Sequence, residues 1–332
     1  MLIDPYDFKA LRKQIELQRK HAFDLDKDIN WHLKIDTAKM FLPLDAAAIA
    51  FPHASKEQRL ALSQWLGLIV NATISEMEDA LPKLREHGFE RILRNYPVGP
   101  EIFTLGELFF AEELKHSQAF SRYLDIFCQQ EGLALDLVKS LLPSAYGSFF
   151  QAAITKNATK GGHAFWWVVA NVEEVSISIF HEIRKQKKLV DPLFYHLHKK
   201  HMEEEARHAN FAYLMLDLIE NSPNPIKQRV FRKTDFIFSQ LVSMPWVLTE
   251  LGKFYKIKDV AHKHPLFETL ASCIPMVKEM SVMEQVERFF ISAPYISWIL
   301  NPGWGKRVHR KRKEYGALPV PFKKPVKSDL AG

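Results

Sequence analysis

What this chain lacks narrows it first. It has two cysteines in 332 residues, Cys128 and Cys273. No disulfide framework is available, the two thiols are expected as buried hydrophobes, and a reducing cytoplasmic compartment is the expectation. Glycine is scarce at 13 residues, and Val/Ile/Thr alternation of the strand type is hard to find, which argues against a sheet-based fold. Met1-Leu-Ile-Asp-Pro5 has no basic stretch ahead of an apolar core, so no signal peptide is expected. The longest apolar run, residues 164–172, is far short of the ~20 residues of a membrane span. No glycine-rich phosphate loop and no Gly-x-Ser-x-Gly elbow occurs.

The net charge of +6 invites a nucleic-acid reading, but its distribution argues otherwise. Residues 306–332 hold nine Lys/Arg against two acids, which leaves the preceding 305 residues at −1. A neutral body with a basic tail suits a small-molecule protein better than a polyanion binder, and no nucleic-acid partner is expected. The tail is either a solvated segment or a dock for an acidic partner.

What is present is helix. Apolar residues recur at spacings of three and four over long stretches. The pattern predicts a first helix over Asp7 to about Phe23 and an irregular lead-in through Pro52. A long helix follows from Ser55 to about His87, with Gly88 as its stop. Further helices are expected from Glu101 to about Gly132, and from Leu133 to about Lys156 with interruptions at Pro143 and Gly147. Two more run from His163 to about Lys187 and from Pro192, a proline helix start, to about Glu220. Ile226–Tyr255 and Pro275–Phe290 are also read as helical. The domain reading is residues 1–54 as lead-in, 55–300 as a helical domain and 301–332 as tail. The fold class expected is all-α, a ferritin-like four-helix bundle with added N- and C-terminal helices.

Two of the predicted helices carry Glu three residues before His, Glu113-x-x-His116 and Glu205-x-x-His208. At i and i+3 both side chains leave one helical face and can ligate one metal ion. Doubled, and joined by one Glu from each of two other helices, this is the ligand set of carboxylate-bridged two-metal bundles. The other two helices offer Glu76, on the stripe of Trp65, Ile69, Ala72 and Ala80, and Glu173 or Glu174. Buried charge is costly unless paired or metal-bound, so acids on apolar stripes point to a shared site. The heights agree: Glu174 lies 15 residues before the turn near residue 189, and His201 to His208 lie 12 to 19 after it. His201 joins Glu205 and His208 on one stripe at i, i+4 and i+7. His196 and His198 are read as surface residues. Phe109, Phe110, Phe120, Phe165, Trp166 and Trp167 are read as core or as the wall of an apolar substrate pocket.

The segment from Asp191 to Ala212, with His201-x-x-x-Glu205-x-x-His208 written as Glu-Glu-x-Arg-His behind a proline start, resembles the p-aminobenzoate N-oxygenase (AurF-like) family. The likeness extends upstream to Glu113-x-x-His116 and Glu173-Glu174, over about residues 60–215. The family usually has Asp-Glu where this chain has Glu112-Glu113. The resemblance implies a di-iron oxygenase that activates O₂ and oxygenates an amine nitrogen to a hydroxylamine, nitroso or nitro product. Glu76, Glu113 and His116 would hold one iron and Glu174, His201 and His208 the other, with Glu113 and Glu205 bridging. Glu78 is the alternative to Glu76, and Glu173 to Glu174. Manganese could replace iron. The implied partners are a small amine, free or bound to a carrier protein, an electron-donor reductase, and a second copy in a homodimer. Rival readings are another di-iron oxidation, such as C–H hydroxylation or oxidative cleavage, and a non-catalytic ferritin-like metal-binding protein.

Overall fold

The computed structural model describes residues 6–43, 53–142, 162–220 and 252–281. Among them there are helices, turns and a single isolated bridge, Met40 to Val190, with no strand. Helix α1 (Phe8–His21) starts where the Asp7 carboxylate accepts from the Ala10 amide at 3.0 Å, satisfying one free N–H of the first turn. Helix α2 (Lys56–Lys83) starts on a reciprocal cap. The Ser55 hydroxyl accepts from the Gln58 amide, and the Gln58 side chain accepts from the Ser55 amide. A π-helical turn (Glu86–Glu90) and the short α3 (Arg91–Leu93) lead to α4 (Pro100–Gln130) and α5 (Leu135–Leu141). Then come α6 (His163–Lys185) and α7 (Pro192–Glu220). A 3₁₀ turn (Ile257–Lys263), α8 (Pro265–Ser272) and α9 (Ile274–Lys278) follow.

The four long helices stand where the periodicity predicts them. The end of α2 differs: the helix closes at Lys83, and Gly88 lies inside the π turn instead of stopping a helix. There its carbonyl accepts from the Trp166 indole N–H at 2.8 Å, and a Cβ would stand 2.8 Å from the Phe165 ring. Gly162 opens α6 at φ +76°, in the left-handed region, where a Cβ would also collide with Ile92. Most of the predicted helix over 226–255, the later part of 133–156, and the tail 301–332 lie outside the described residues. So does the part of 275–290 beyond residue 281.

Helices α2 and α4 form one antiparallel hairpin, and α6 and α7 the other. The two hairpins meet chiefly through α4 and α7, making a ferritin-like four-helix bundle. The bundle is covered on two sides. Helix α1 lies across α4 and α7, and α8 packs on α2. With the lead-in residues Thr37 to Leu42 against Ser63, Gln64 and Gly67, this second cover leaves every residue of α2 from Ala61 to Ala72 buried. A helix enclosed all round has no apolar stripe that marks its core face. Trp65 packs edge-on against Phe267 of α8, so the stripe of Trp65, Ile69, Ala72 and Glu76 faces the outer cover. The bundle interior is met by a polar line on α2, Asn71, Ser75 and Glu78, at i, i+4 and i+7.

The lead-in is tied down by side chains. Asp191, fully buried ahead of α7, accepts from the Phe194 amide at 2.7 Å and from the Asp36 amide at 2.8 Å. It thus caps α7 and fastens the lead-in with one carboxylate. Cys128 and Cys273 are buried free thiols. No described helix is long and apolar enough to cross a membrane.

Candidate metal centre

The bundle brings together acids and imidazoles from all four long helices. One group is Glu78 of α2, His116 of α4, and His201 and Glu205 of α7. The other is Glu113 of α4, Glu173 of α6, and Glu205 and His208 of α7. Within each group the candidate ligand atoms lie within 4.8 Å of one another, and every residue is buried. Glu205 is common to both, and Glu113 also groups with His116 and His208. Glu205 Oε1 is 3.0 Å from His116 Nδ1, 3.0 Å from His201 Nε2 and 3.4 Å from His208 Nδ1.

Of the seven residues expected to bind metal, the structure gathers Glu113, His116, His201, Glu205 and His208. It does not gather Glu76 or Glu174. Glu76 is two residues from Glu78, which is 200° around a helix, and it stands on the covered side of α2 near Lys139 and Lys253. Burial raises its carboxyl to about 7. Glu78 stands in its place, with Oε1 2.8 Å from His201 Nε2. Glu174 is turned by 100° from the site and accepts from the Tyr213 hydroxyl at 2.7 Å. Glu173 faces inward, with Oε2 4.0 Å from His208 Nδ1. The groups divide differently from the expectation in part: Glu113 still stands with His116 in one of them, but His201 stands with Glu78 and His116, and His208 with Glu113 and Glu173.

The spacing logic missed two further acids, Glu112 and Glu204, each directly before a Glu-x-x-His motif. The Glu112 carboxylate takes His208 Nε2 at 2.8 Å, and the Glu204 carboxylate takes His116 Nε2 at 2.6 Å. Each helix therefore braces the other helix's histidine. The brace occupies Nε2 and leaves Nδ1 of both rings facing the shared carboxylates. Glu204 also accepts from Lys115 Nζ at 2.8 Å and from the Phe23 amide at 2.7 Å. Glu112 accepts from Gln18 at 2.9 Å, and Arg207 lies 3.6 Å from Glu204 and 3.9 Å from Glu112. The doubled Glu-Glu in the sequence was the available signal. The expectation for His198 is also corrected. It is 1% exposed, with Nε2 2.9 Å from Asn71 Oδ1, because α2 covers that side of α7.

Burial and neighbours set the charges. Burial, with Glu113 and Glu205 alongside, pushes Glu78 well above the usual carboxylate range, and burial also raises Glu113. Burial likewise works against an ionised Glu205, but His208 and His116 outweigh it and hold its carboxyl at about 2. Burial works against a charged His208, and Glu205 and Glu113 outweigh it and hold the ring well above the imidazole range.

These residues fit a pair of metal ions on two observations. Both carboxylate oxygens of Glu113 and of Glu205, Oε2 of Glu78, Oε1 of Glu173, and Nδ1 of His116 and His208 are buried without a hydrogen bond. Buried polar atoms in such number are otherwise costly, and a metal satisfies them at once. The charges also balance: four inner carboxylates match two divalent cations, and Glu112 and Glu204 match Arg207 and Lys115. Oxygen-rich ligation with a few imidazoles suits iron or manganese.

The aromatic residues singled out from the sequence are buried: Phe109, Phe110, Phe120, Phe165, Trp166 and Trp167 are at most 3% exposed. Phe109 meets the His208 ring edge-on at 4.9 Å, and Phe120 meets His201 at 4.8 Å, so two of them wall the site.

Compared with known proteins, residues 5–248 match the family described as P-aminobenzoate N-oxygenase AurF. The chain matches no curated protein and no solved structure.

Proposed function

We propose that this chain, which belongs to the P-aminobenzoate N-oxygenase AurF family, is a di-iron oxygenase that transfers oxygen from O₂ to the nitrogen of a small aryl amine. The observation that carries the reading is the pair of buried ligand groups that share Glu205 at the centre of the four-helix bundle. Glu78, His116 and His201 would hold one iron, Glu113, Glu173 and His208 the other, and Glu205 both. Bound there, two irons supply and store the electrons that O₂ activation needs and no side chain provides.

The chain's own residues do the rest. Glu204 and Glu112 accept the Nε2 protons of His116 and His208 and so keep both rings in the tautomer that turns Nδ1 inward. Lys115 lies 2.8 Å from Glu204, and Arg207 lies 3.6 Å from Glu204 and 3.9 Å from Glu112, so both acids stand beside a positive charge. Phe109 and Phe120 keep bulk water from the ligands, which strengthens every charge interaction inside. His201 brings a third imidazole to a site that two Glu-x-x-His motifs would otherwise complete. An external one-electron donor must reduce the metals between turnovers.

The test has two stages. Purified full-length chain should bind two irons, and with reductant, O₂ and an aryl amine it should release the N-oxygenated product in a single turnover. A chain that takes up no iron refutes the reading. A chain that takes up two irons but oxidises only C–H bonds, or nothing, replaces N-oxygenation with one of the rival chemistries.

A further inference from the structure

We infer that the exposed basic face of α1, with the cleft at its C-terminal end, is the docking surface for an acidic one-electron carrier protein. The inference rests on the di-iron reading and supplies the reductant that reading requires.

The cleft has a volume of about 400 Å³ and is rimmed by Lys20, Lys200 and Arg207, with Asp28 and Glu203 among its acids. Phe23 lines it and is itself buried. Phe23 stacks on His116 at 5.7 Å between ring centroids, with the planes 8° apart. Lys115 reaches from beside His116 to the Phe23 carbonyl at 3.0 Å and lies 4.0 Å from its ring. A partner seated in this cleft therefore stands two aromatic rings from the metal position that His116 serves.

Helix stability accounts for only part of the basic face that leads to the cleft. Helix α1 carries exposed Lys9, Arg12, Lys13, Arg19 and Lys20 against one acid, Glu16. Arg19 and Lys20 complement the negative end of the helix dipole. Lys9 does the opposite: it lies in the first turn, at the positive end, and that turn has no acid. Arg12 is held by Glu101 at 2.9 Å, but among the described residues Lys9, Lys13 and Lys20 form no ion pair. At i, i+4 and i+11 these three lysines share one side of α1, and the line they form runs into the cleft. The body of the chain is near neutral, so the patch is a local concentration of charge. Such a patch steers an acidic partner and fixes its orientation.

Electrons balance simply. In each of two encounters the carrier would give up one electron and be oxidised, and the two electrons would take a bound ferric pair to the ferrous state. Both cysteines are buried single thiols, so no dithiol pair among the described residues supplies these electrons.

The test uses the full-length chain and an acidic [2Fe–2S] ferredoxin as probe. Calorimetry at low ionic strength should show saturable binding that weakens with added salt. The variant K9E/K13E/K20E should bind about tenfold or more weakly while keeping its far-UV circular dichroism. In iron-loaded protein the ferredoxin should reduce the ferric chromophore more slowly in this variant, and dithionite should reduce both proteins alike. No saturable binding by the wild type, or equal binding by the variant, overturns the inference. So does binding that survives the triple change but is lost on truncation after Pro302. A chain that takes up no iron but docks ferredoxin through these lysines refutes the oxygenase reading and upholds the surface.

Discussion

The crossed brace offers the sharpest test of how this site is built. Consider Glu204→Gln. Glu204 is fully buried and is approached only by donors: His116 Nε2 at 2.6 Å, the Phe23 amide at 2.7 Å and Lys115 Nζ at 2.8 Å. A carboxylate accepts from all three, whereas an amide has one accepting and one donating end. If the amide oxygen keeps His116, the NH₂ group faces Phe23 N–H and the Lys115 ammonium, which then has no counter-charge nearby. If it turns round, the NH₂ donates to Nε2, and the His116 proton moves to Nδ1, the nitrogen that faces Glu205. Either outcome harms the site. Losing one charge-assisted hydrogen bond costs about 1.5–3 kcal/mol. Loss of an outer partner of a metal-binding histidine weakens metal affinity by about 10–100-fold. The expectation is a 10–100-fold weaker metal affinity, measured by competition with a chromogenic chelator. A fall of about 2 kcal/mol in metal-free stability should accompany it in urea unfolding. The exposed neighbour Glu203→Gln should change neither quantity. Unchanged metal affinity in Glu204→Gln would refute the reasoning, because the Nδ1 tautomer would then be set by something other than the brace.

Other expectations follow from the same geometry. Glu78→Ala and Glu173→Ala should each lower metal content toward one ion per chain, while Glu76→Ala and Glu174→Ala should keep two, as read by elemental analysis. Metal removal should lower the melting temperature, since an ion bound only to the native state stabilises it in proportion to the logarithm of its excess over Kd. Metal affinity should rise with pH between about 5 and 8. Glu78, Glu113, His116 and His208 all hold their protons above the usual range in the metal-free fold and must release them to bind metal. Burial lowers His198 to about 3. Its folded value is below its unfolded value, so the neutral ring contributes no penalty above about pH 6.5, and stability is lost as pH falls toward 3. His198→Gln should flatten that acid limb by up to about 5 kcal/mol in pH-dependent unfolding, and an unaltered limb would show that His198 is not what titrates.

The sequence by itself determined the four long helices, their order and the residue types that gather between them. Capping residues such as Asp7 and Ser55, the proline start at Pro192 and the period of the apolar residues are local signals, and local hydrogen bonding answers to them. Glu-x-x-His spacing is local too, since i and i+3 share a face in any helix. Tertiary structure decided which of two nearby acids faces inward. One residue turns a side chain by 100° and two by 200°, so choosing between Glu173 and Glu174, or Glu76 and Glu78, requires the rotation of the whole helix. That rotation is written in a hydrophobic stripe only when one side of the helix meets water. Here α8 covers α2 on the side away from the bundle, and residues 61–72 are buried all round, so the stripe marked the cover and a polar line marked the site. The brace joins residues 88 and 96 positions apart, and the Phe23 amide reaches Glu204 across 181. No local pattern specifies such contacts, and only the packing of α4 against α7, and of the chain at the end of α1 over both, brings them into being.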